Sequence, residues 1–403
     1  WQSMSASSVN SPGSDDLVLA IGLEAQLEDG LARLVAAGGG ELVVGAADDI
    51  PGAMTRWLGA AKLRPGRRLS VVHGRRGRRD DPSSLVLEVA ELVRALLGAA
   101  VRPPPALCHA YRTADATFAA SEALAGFAQA LRVEQPQLTL RIVGLPDQRP
   151  ELALWSALSS AVPNALLVRE QETTRQVPAL VQLEEAGRGR DRAAGGVAVD
   201  EDRLARLLRP HGVYVVTGGA SGLGLLFARR LARVPGAKLV LIGRSTPTAA
   251  GRGRLQALER LGAEVLFVSA DVSDRTSLKA ALDTARQKFG PIHGVLHSAG
   301  VTRDGFLVRK SEEQFRAVLA PKVDGVRWLD ELSADDPLDF FVTFSSVSGI
   351  FGNVGQTDYA YANAYLHTFA EQRERLRARG QRAGRTLALA WQFWGDDGGM
   401  VTN

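Results

Sequence analysis

Cysteine is nearly absent from this chain, and long apolar runs are absent altogether. Cys108 is the single cysteine among 403 residues, which excludes an intrachain disulfide and a cysteine-rich metal site, so no metal is expected. No apolar run approaches the roughly 18 residues of a membrane span, and no signal-like pattern opens the chain. We therefore expect a cytoplasmic protein without a membrane partner.

Lysine is also scarce, with six occurrences, although the formal net charge is +4. The basic residues are mostly arginines scattered among acids, and the arginine-rich run 75–79 is followed at once by two aspartates, which is typical of a solvated loop. We therefore expect no nucleic-acid partner. A hydrophobic content of 45% is ordinary for a globular protein, and the length allows two domains.

A glycine-rich turn follows a short apolar run in the second half of the sequence. The run Val213–Val216 leads into Thr217, and the turn contains Gly218, Gly222 and Gly224 before an amphipathic helical pattern. Strand, glycine turn and helix in this order bring the backbone close to a pyrophosphate while the helix N-terminus faces its charge. The spacing T-G-x-x-x-G-x-G differs from the better-known G-x-G-x-x-G, and by itself it could also be a plain tight turn.

Strand and helix patterns alternate on both sides of a polar, glycine-rich segment, residues 187–196, which we predict to be a linker. Before it, helices are predicted at 51–61, 85–98 and 117–133, and strands at Glu41–Gly45, Leu69–His73, Leu138–Leu145 and Ala165–Arg169. After it, strands are predicted at Val213–Val216, Lys238–Ile242, Glu264–Val268, Gly294–His297, Asp339–Phe344 and Thr386–Trp391. This alternation predicts an α/β fold with parallel, helix-flanked sheets.

The half before the linker lacks the features of a cofactor site. None of its predicted strands opens into a spaced-glycine turn, and no tyrosine is followed four residues later by lysine or asparagine. We therefore predict two Rossmann-like subdomains with doubly wound parallel sheets. Residues 1–190 form a degenerate, structural subdomain that begins with a flexible lead-in at 1–4. Residues 191–403 form the cofactor-binding subdomain, with strand order 3-2-1-4-5-6.

Four polar residues of the second half form a candidate catalytic set: Lys322, Ser346, Tyr359 and Asn363. Reducing a ketone leaves an alkoxide-like oxygen that needs a proton donor and a hydrogen-bond partner. A phenol has a pKa near ~10, so a nearby cation is needed to make it a competent acid near neutrality. Tyr359 and Asn363 are four apart and share one helix face, whereas Tyr361 points elsewhere and is predicted to pack. Ser345 neighbours Ser346, but the spacing to Tyr359 favours Ser346.

These residues, together with Thr217–Gly224 and His297–Gly300, resemble the ketoreductase domains of modular polyketide synthases, which are extended short-chain dehydrogenases/reductases. The resemblance is specific over about residues 210 to 400 and weaker over 35 to 185. Simple short-chain reductases place lysine four residues after tyrosine and asparagine upstream. Here Asn363 and Lys322 are exchanged, as in polyketide ketoreductases. In that family a lid helix follows the last strand, whereas this sequence stops soon after Trp394, so we expect the domain to be shortened.

The resemblance implies a role for each catalytic candidate. Tyr359 donates the proton, Ser346 holds the carbonyl oxygen, and Lys322 supplies positive charge and contacts the ribose, while Asn363 completes the set. The predicted cofactor-binding residues are Thr217, Gly218, Ser221, Gly222, Leu223, Gly224, Arg244, Ser245, Asp271, Val272, Ser298, Ala299 and Gly300. In related reductases the acid at Asp271 accepts from the adenine amino group, although Asp271 could instead cap the next helix. His297 is predicted to pack.

NADPH is the predicted cofactor. The end of strand two in a doubly wound sheet lies beside the adenosine ribose, where an acid suits NAD and an arginine suits the 2′-phosphate of NADP. Arg244 occupies that place, and its guanidinium fork matches a phosphate, with Ser245 able to add a hydrogen bond. The alternative is an ordinary surface arginine.

The function implied by the resemblance is reduction of a β-ketoacyl thioester on an acyl carrier protein, through its phosphopantetheine arm, to a β-hydroxyacyl thioester within a synthase of neighbouring domains. One alternative is a free-standing short-chain dehydrogenase acting on a small ketone or alcohol; the extra half and the exchanged lysine and asparagine argue against it. Another is a catalytically silent structural module, against which the intact tyrosine, serine and glycine turn argue.

Two residues bear on stereochemistry by the same resemblance. In the family, an aspartate after the fourth strand marks the type that gives the R (D, B-type) alcohol, and a tryptophan eight residues before the tyrosine marks the opposite type. The loop Val301–Asp304 keeps Asp304 but departs from the usual Leu-Asp-Asp, and the second position is Phe351. Both favour the R alcohol. The alternative is that Asp304 caps the following segment.

Overall fold

The computed structural model describes residues 2–5, 13, 15–63, 67–74, 81–114, 118–159, 166–171, 174–181 and 208–394. The predicted linker at 187–196 lies outside these residues. The described chain contains two sheets, one built before residue 182 and the other after residue 207.

The first sheet has eight strands. They are β1 Gln2–Ser5, β2 Asp16–Ile21, β3 Glu41–Gly45, β4 Arg68–His73, β5 Ala106–Arg112, β6 Leu140–Leu145, β7 Leu167–Glu170 and β8 Thr174–Val177. Their order is β1-β8-β7-β6-β5-β4-β2-β3, parallel from β3 to β7 and antiparallel at β8 and β1. The helices among them are α1 Ala25–Ala37, α2 Ile50–Leu63, α3 Pro82–Gly98, α4 Phe118–Glu134 and α5 Pro150–Ser159.

The second sheet has six parallel strands. They are β9 Val213–Thr217, β10 Lys238–Gly243, β11 Glu264–Ser269, β12 Gly294–His297, β13 Phe340–Ser346 and β14 Arg385–Trp391. The order β11-β10-β9-β12-β13-β14 confirms the predicted 3-2-1-4-5-6 arrangement. Its helices are α6 Gly222–Leu231, α7 Ala249–Glu259, α8 Arg275–Phe289, α9 Glu312–Lys322, α10 Asp324–Leu332, α11 Ser348–Phe351 and α12 Thr357–Ala378.

The first sheet repeats this plan with one strand missing. From β9, two strand–helix units lie on one side before the chain crosses to β12, whereas from β2 only β3 lies on that side before the chain crosses to β4. The central strands of both sheets are buried on both faces, as parallel strands covered by helices require. The first half is therefore α/β and Rossmann-like but lacks an edge strand, which agrees with a degenerate subdomain.

Several elements of the first half differ from the sequence prediction. Residues 2–5, predicted to be part of a flexible lead-in, form β1 and pair with β8. Strand β2 was not predicted, because it begins with the buried acid Asp16. The Arg68 guanidinium donates to both carboxylate oxygens of Asp16 from the adjacent β4, at 2.5 and 2.8 Å. A charge neutralised by a residue 52 positions away gives no local signal.

The two sheets are joined through two helices in direct contact. A Cβ at Gly126 of α4 would lie 2.5 Å from the carbonyl oxygen of Ala360 and 2.6 Å from the Cβ of Ala364, both on α12. The Tyr361 hydroxyl donates to the carbonyl oxygens of Pro82 and Ala120 at 2.9 and 3.2 Å. Tyr361 therefore packs, as the sequence predicts, and its polar end ties α12 to the first half.

Candidate active site

The glycine turn after β9 is tightly closed. Gly218 and Gly222 have φ of +67° and +54°, values that L side chains rarely adopt. A Cβ at Gly224 would lie 2.6 Å from the carbonyl oxygen of Gly218, so a larger residue would force the turn open. The turn leads into α6, whose N-cap residue Ser221 makes no side-chain cap hydrogen bond. The first N–H groups of α6 are thus available to an anion.

A buried histidine holds this turn in place. His297 Nδ1 lies 2.8 Å from Thr217 Oγ1, and His297 Nε2 lies 2.8 Å from the carbonyl oxygen of Pro321. Burial lowers the pKa of His297 to about 3, so the ring is neutral, donates through Nε2 and accepts at Nδ1. His297 is therefore a structural link, and it fixes the turn relative to the end of α9, where Lys322 lies.

A cleft of about 760 Å³ opens at the carboxyl ends of the second sheet. Most of the predicted cofactor and catalytic residues line it: Gly218, Ser221, Gly222, Leu223, Arg244, Asp271, Val272, Ser298, Ala299, Gly300, Lys322, Ser346, Phe351 and Tyr359. Thr217, Gly224, Ser245, Asp304 and Asn363 do not line it. In an open α/β sheet, ligands bind at this crevice where the strand order reverses.

The adenosine end of the cleft has the features that the sequence predicts. Arg244 is exposed, and within the described part of the chain no carboxylate pairs with its guanidinium. Asp271 accepts from the Ser273 backbone N–H at 2.9 Å and from its hydroxyl at 2.6 Å. The alternative that Asp271 caps α8 is wrong, because Asp274 is the N-cap residue and accepts from Thr276 N and Ser277 N.

The catalytic candidates converge at the other end. Ser346 is the last residue of β13, and its Oγ accepts from the Ser348 N–H at 3.2 Å. Tyr359 lies in the first turn of α12, and Asn363 Nδ2 one turn later donates to the Tyr359 backbone oxygen at 2.8 Å. Ser345 faces α12 instead, where its hydroxyl donates to the Asn363 carbonyl oxygen at 3.0 Å. Its neighbour Ser346 is therefore the serine placed for chemistry.

Lys322 is a buried cation beside this group. Its ammonium donates to the carbonyl oxygen of Phe344 at 2.8 Å and lies 5.9 Å from the centroid of the Tyr359 ring. No carboxylate among the described residues pairs with it. Burial lowers the pKa of Lys322 to about 8, so the side chain remains largely charged at neutral pH.

The pKa of Tyr359 differs from the sequence expectation. Burial raises it above its ordinary value, and the nearby side chains of Asn363 and Ser346 offset only part of that effect. The expectation that a cation brings the phenol close to neutrality is therefore not met in the protein alone. Asn363 is fully buried, and its Oδ1 finds no hydrogen-bond partner among the described residues.

The two candidate substrate-orienting residues lie at the mouth of the cleft. Asp304 is exposed, and its Oδ2 accepts from Gln356 Nε2 at 3.0 Å. The alternative that Asp304 is a helix cap is wrong, because the next helix, α9, is capped by Ser311. Phe351 lines the cleft with 59% of its surface exposed.

Sequence reasoning did not single out several residues of the cleft. Trp391, Gln392, Phe393 and Trp394 follow β14 and line it. Their place at the carboxyl end of a parallel strand is the signal that could have identified them. None of the helices in the described ranges is both long and apolar enough to cross a bilayer. Nor do the described residues contain a cluster of three or more His, Cys, Asp or Glu side chains able to hold a metal ion.

Comparison with known proteins is consistent with this geometry. Residues 212–396 match the model of the KR domain family. Over 190 residues, 47% of the chain, the sequence is 42% identical to polyketide synthase PksL of Bacillus subtilis (strain 168), of which it covers 4%. Over 196 residues, 48% of the chain, it is 42% identical to polyketide synthase GfsB of Streptomyces halstedii, of which it covers 3%. The chain thus spans a small part of these curated relatives.

Solved structures are similar over both halves. A ketoreductase domain from the bacillaene assembly line aligns with a TM-score of 0.74 and 26% identity, covering 99% of this chain and 86% of that one. The first ketoreductase of the tylosin PKS aligns with a TM-score of 0.73 and 25% identity, covering 100% and 84%. The likeness therefore includes the first sheet, which lies before the family match.

Proposed function

Because residues 212–396 belong to the KR domain family and their curated relatives are polyketide synthases, we propose that this chain reduces a β-ketoacyl thioester to a β-hydroxyacyl thioester. The observation that carries the proposal is the convergence of Ser346, Tyr359 and Lys322 on the cleft that the glycine turn borders. A free-standing dehydrogenase would need no second sheet joined to α12. A silent module would need neither a buried cation nor a closed glycine turn.

The chain's own residues perform the proton chemistry. A nicotinamide bound in the cleft would supply the hydride equivalent. The Tyr359 hydroxyl donates its proton to the oxygen as negative charge develops there, and the Ser346 hydroxyl donates a hydrogen bond to the same oxygen. The Lys322 ammonium, behind the Tyr359 ring, stabilises the phenolate left after proton transfer and carries a hydrogen-bond donor toward the ribose. Asn363 holds the turn of α12 that carries Tyr359.

We propose NADPH as the cofactor. The closed turn at Gly224 and the uncapped start of α6 fit a pyrophosphate. Arg244 at the end of β10 is exposed beside the cleft, with no carboxylate partner in the described chain, which suits a 2′-phosphate. The cytoplasm is the expected location.

We also propose the R configuration for the product. Asp304 is held by Gln356 at the mouth of the cleft, and Phe351 occupies the place of the tryptophan that marks the opposite type. The natural substrate is then a chain on the phosphopantetheine arm of an acyl carrier protein, within a synthase of neighbouring domains. Residues 1–190 are the structural subdomain and residues 191–403 the catalytic one.

The proposal is tested by incubating the purified chain with a β-ketoacyl N-acetylcysteamine thioester and NADPH. We expect NADPH oxidation and a predominantly R alcohol on chiral chromatography. The change Arg244→Ala should raise the KM for NADPH about tenfold or more and leave that for NADH unchanged, because only NADPH carries the phosphate. Arg252→Ala on exposed α7 is the matched control. No NADPH oxidation would overturn the function, a predominantly S product the stereochemistry, and equal effects on both cofactors the role of Arg244.

A further inference from the structure

Two loops at the mouth of the cleft are bonded to each other. The Asp304 loop is residues 301–311, and the Gly355 loop is residues 352–356, which lead into α12 and Tyr359. The Gly305 N–H donates to the Gly355 carbonyl oxygen at 2.9 Å, next to the bond between Gln356 and Asp304. Gly355 has φ of +72° and is buried, so the crossing of the loops is closely packed. The position of Asp304 therefore depends on the position of Gly355.

A single carboxylate from the first half holds both loops. Glu134, the last residue of α4, accepts from the Leu307 N–H through Oε2 at 2.9 Å and from the Gly355 N–H through Oε1 at 3.0 Å. Each oxygen thus serves a different loop. Burial raises the pKa of Glu134, while these two N–H groups and the charge of Lys310 act in the opposite direction. An amide in its place offers one acceptor oxygen instead of two, so one of the two bonds would be lost.

A second residue of the first half holds the other end of the Asp304 loop. The Arg94 guanidinium on α3 donates from Nε to the Leu307 carbonyl oxygen at 3.0 Å and from Nη2 to that of Lys310 at 2.8 Å. Lys310 in turn forms a buried ion pair with Asp358, the residue before Tyr359, at 2.6 Å. Glu134 and Arg94 bind only main-chain groups of the loops. They fix where the loops run without occupying the side chains that face the cleft.

We propose that Glu134 and Arg94 are positioning residues for the substrate, through which the first half of the chain sets the placement of Asp304 at the cleft. This inference rests on the proposed ketoreduction. It assigns to the first half a share in substrate orientation, in addition to supporting α12. A misplacement of about 1 Å at a reacting centre can cost on the order of 100-fold in rate, so a shift at the mouth has a measurable effect.

The test compares Glu134→Gln and Arg94→Lys with Glu371→Gln, in the full chain. Glu371 on α12 also pairs across the halves, with Arg169 at 3.1 Å, but it contacts neither loop. We expect Glu134→Gln and Arg94→Lys to raise the thioester KM about fivefold to tenfold and to lower the R fraction, with kcat and NADPH affinity nearly unchanged. Amide hydrogen exchange over 301–311 and 352–357 should quicken in these two variants only.

The outcomes separate this inference from the proposed function. If the unsubstituted chain reduces no thioester, the proposed function fails, and unchanged exchange in the two loops then overturns the clamp as well. If the unsubstituted chain is active, an unchanged KM and R fraction in both variants overturn the inference, even if exchange quickens. Arg94→Lys keeps the charge and decides the matter should Glu134→Gln fail to fold. An equal effect of Glu371→Gln would reduce both residues to general support.

Discussion

The first strand–helix turns of the two sheets have the same place in the fold and opposite contents. After β9, the turn has three glycines and leads to a helix with free N–H groups. After β2, Gly22 is followed by Leu23, which is 1% exposed and fills the space beneath the turn. Glu28 lies in the first turn of α1 and, with Asp48, borders a hollow of about 320 Å³. Carboxylates at a helix N-terminus satisfy its dipole and repel a phosphate.

The difference shows how two copies of a similar plan can divide their work. Topology alone brings both turns to the carboxyl ends of their sheets, so topology does not decide which half binds a dinucleotide. The contents of the turn decide it, through one apolar side chain and two acids in one case and three glycines in the other. The first half uses its helices to hold the second half.

The largest expected effect separates two tyrosines on one helix. Tyr359→Phe removes the proton donor and should lower kcat by about 10²–10⁴-fold, with NADPH affinity unchanged. Tyr361→Phe leaves two carbonyl oxygens of the first half without their donor and should cost about 1–3 kcal/mol of unfolding free energy, with kcat retained. Steady-state kinetics, cofactor titration and chemical denaturation measure the three quantities. Full activity in Tyr359→Phe would contradict the assignment of the proton donor.

The next effect tests the two turns directly. Gly224→Ala places a Cβ 2.6 Å from the carbonyl oxygen of Gly218 and should weaken NADPH binding about tenfold to 100-fold. Gly22→Ala places a Cβ 3.0 Å from the carbonyl oxygen of Gly74, at φ of +62°. It should cost about 1 kcal/mol of stability and leave NADPH binding unchanged. Fluorescence titration of each variant checks this, and weaker binding in Gly22→Ala would mean that the first turn also touches the cofactor.

The smallest effect concerns buried cations. In the first half, buried Arg175 pairs with Glu170, whereas Lys322 in the second half has only a carbonyl acceptor. Holding Lys322 charged with a pKa of about 8 instead of 10.5 costs on the order of 3 kcal/mol at neutral pH. Part of this is offset by its hydrogen bond, so Lys322→Met should stabilise the protein at pH 7 by about 1 kcal/mol.

The pH dependence gives the sign of that effect. Between about pH 8 and 10.5 the unfolded lysine binds more protons than the folded one, so the stability of the unsubstituted chain rises relative to Lys322→Met as pH increases. The advantage of the variant should therefore shrink over this window. Denaturation midpoints at neutral and alkaline pH test it, and a variant that is less stable at every pH would show that Lys322 carries no such cost.

The sequence predicted the second half better than the first because its signals are local. The six strands of the second sheet and the glycine turn are marked by apolar runs and by residues that turns require. In the first half, β2 depends on Arg68 to neutralise Asp16, and β1 forms only by pairing with β8. Glu134 gave no signal, because its two partners lie 173 and 221 positions away. The identity of the catalytic set could be predicted, but the groups that hold its loops could not.

The contact between Gly126 and the backbone of α12 also limits how such domains can be recombined. A chimera that joins the second half of one ketoreductase to the first half of another must match α4 to α12 at the level of main-chain atoms, since Gly126 has room for a hydrogen only. A crossover in the segment between the two sheets would separate these partners. Grafts that move α4 together with the second half keep the complementary surfaces as one inherited unit.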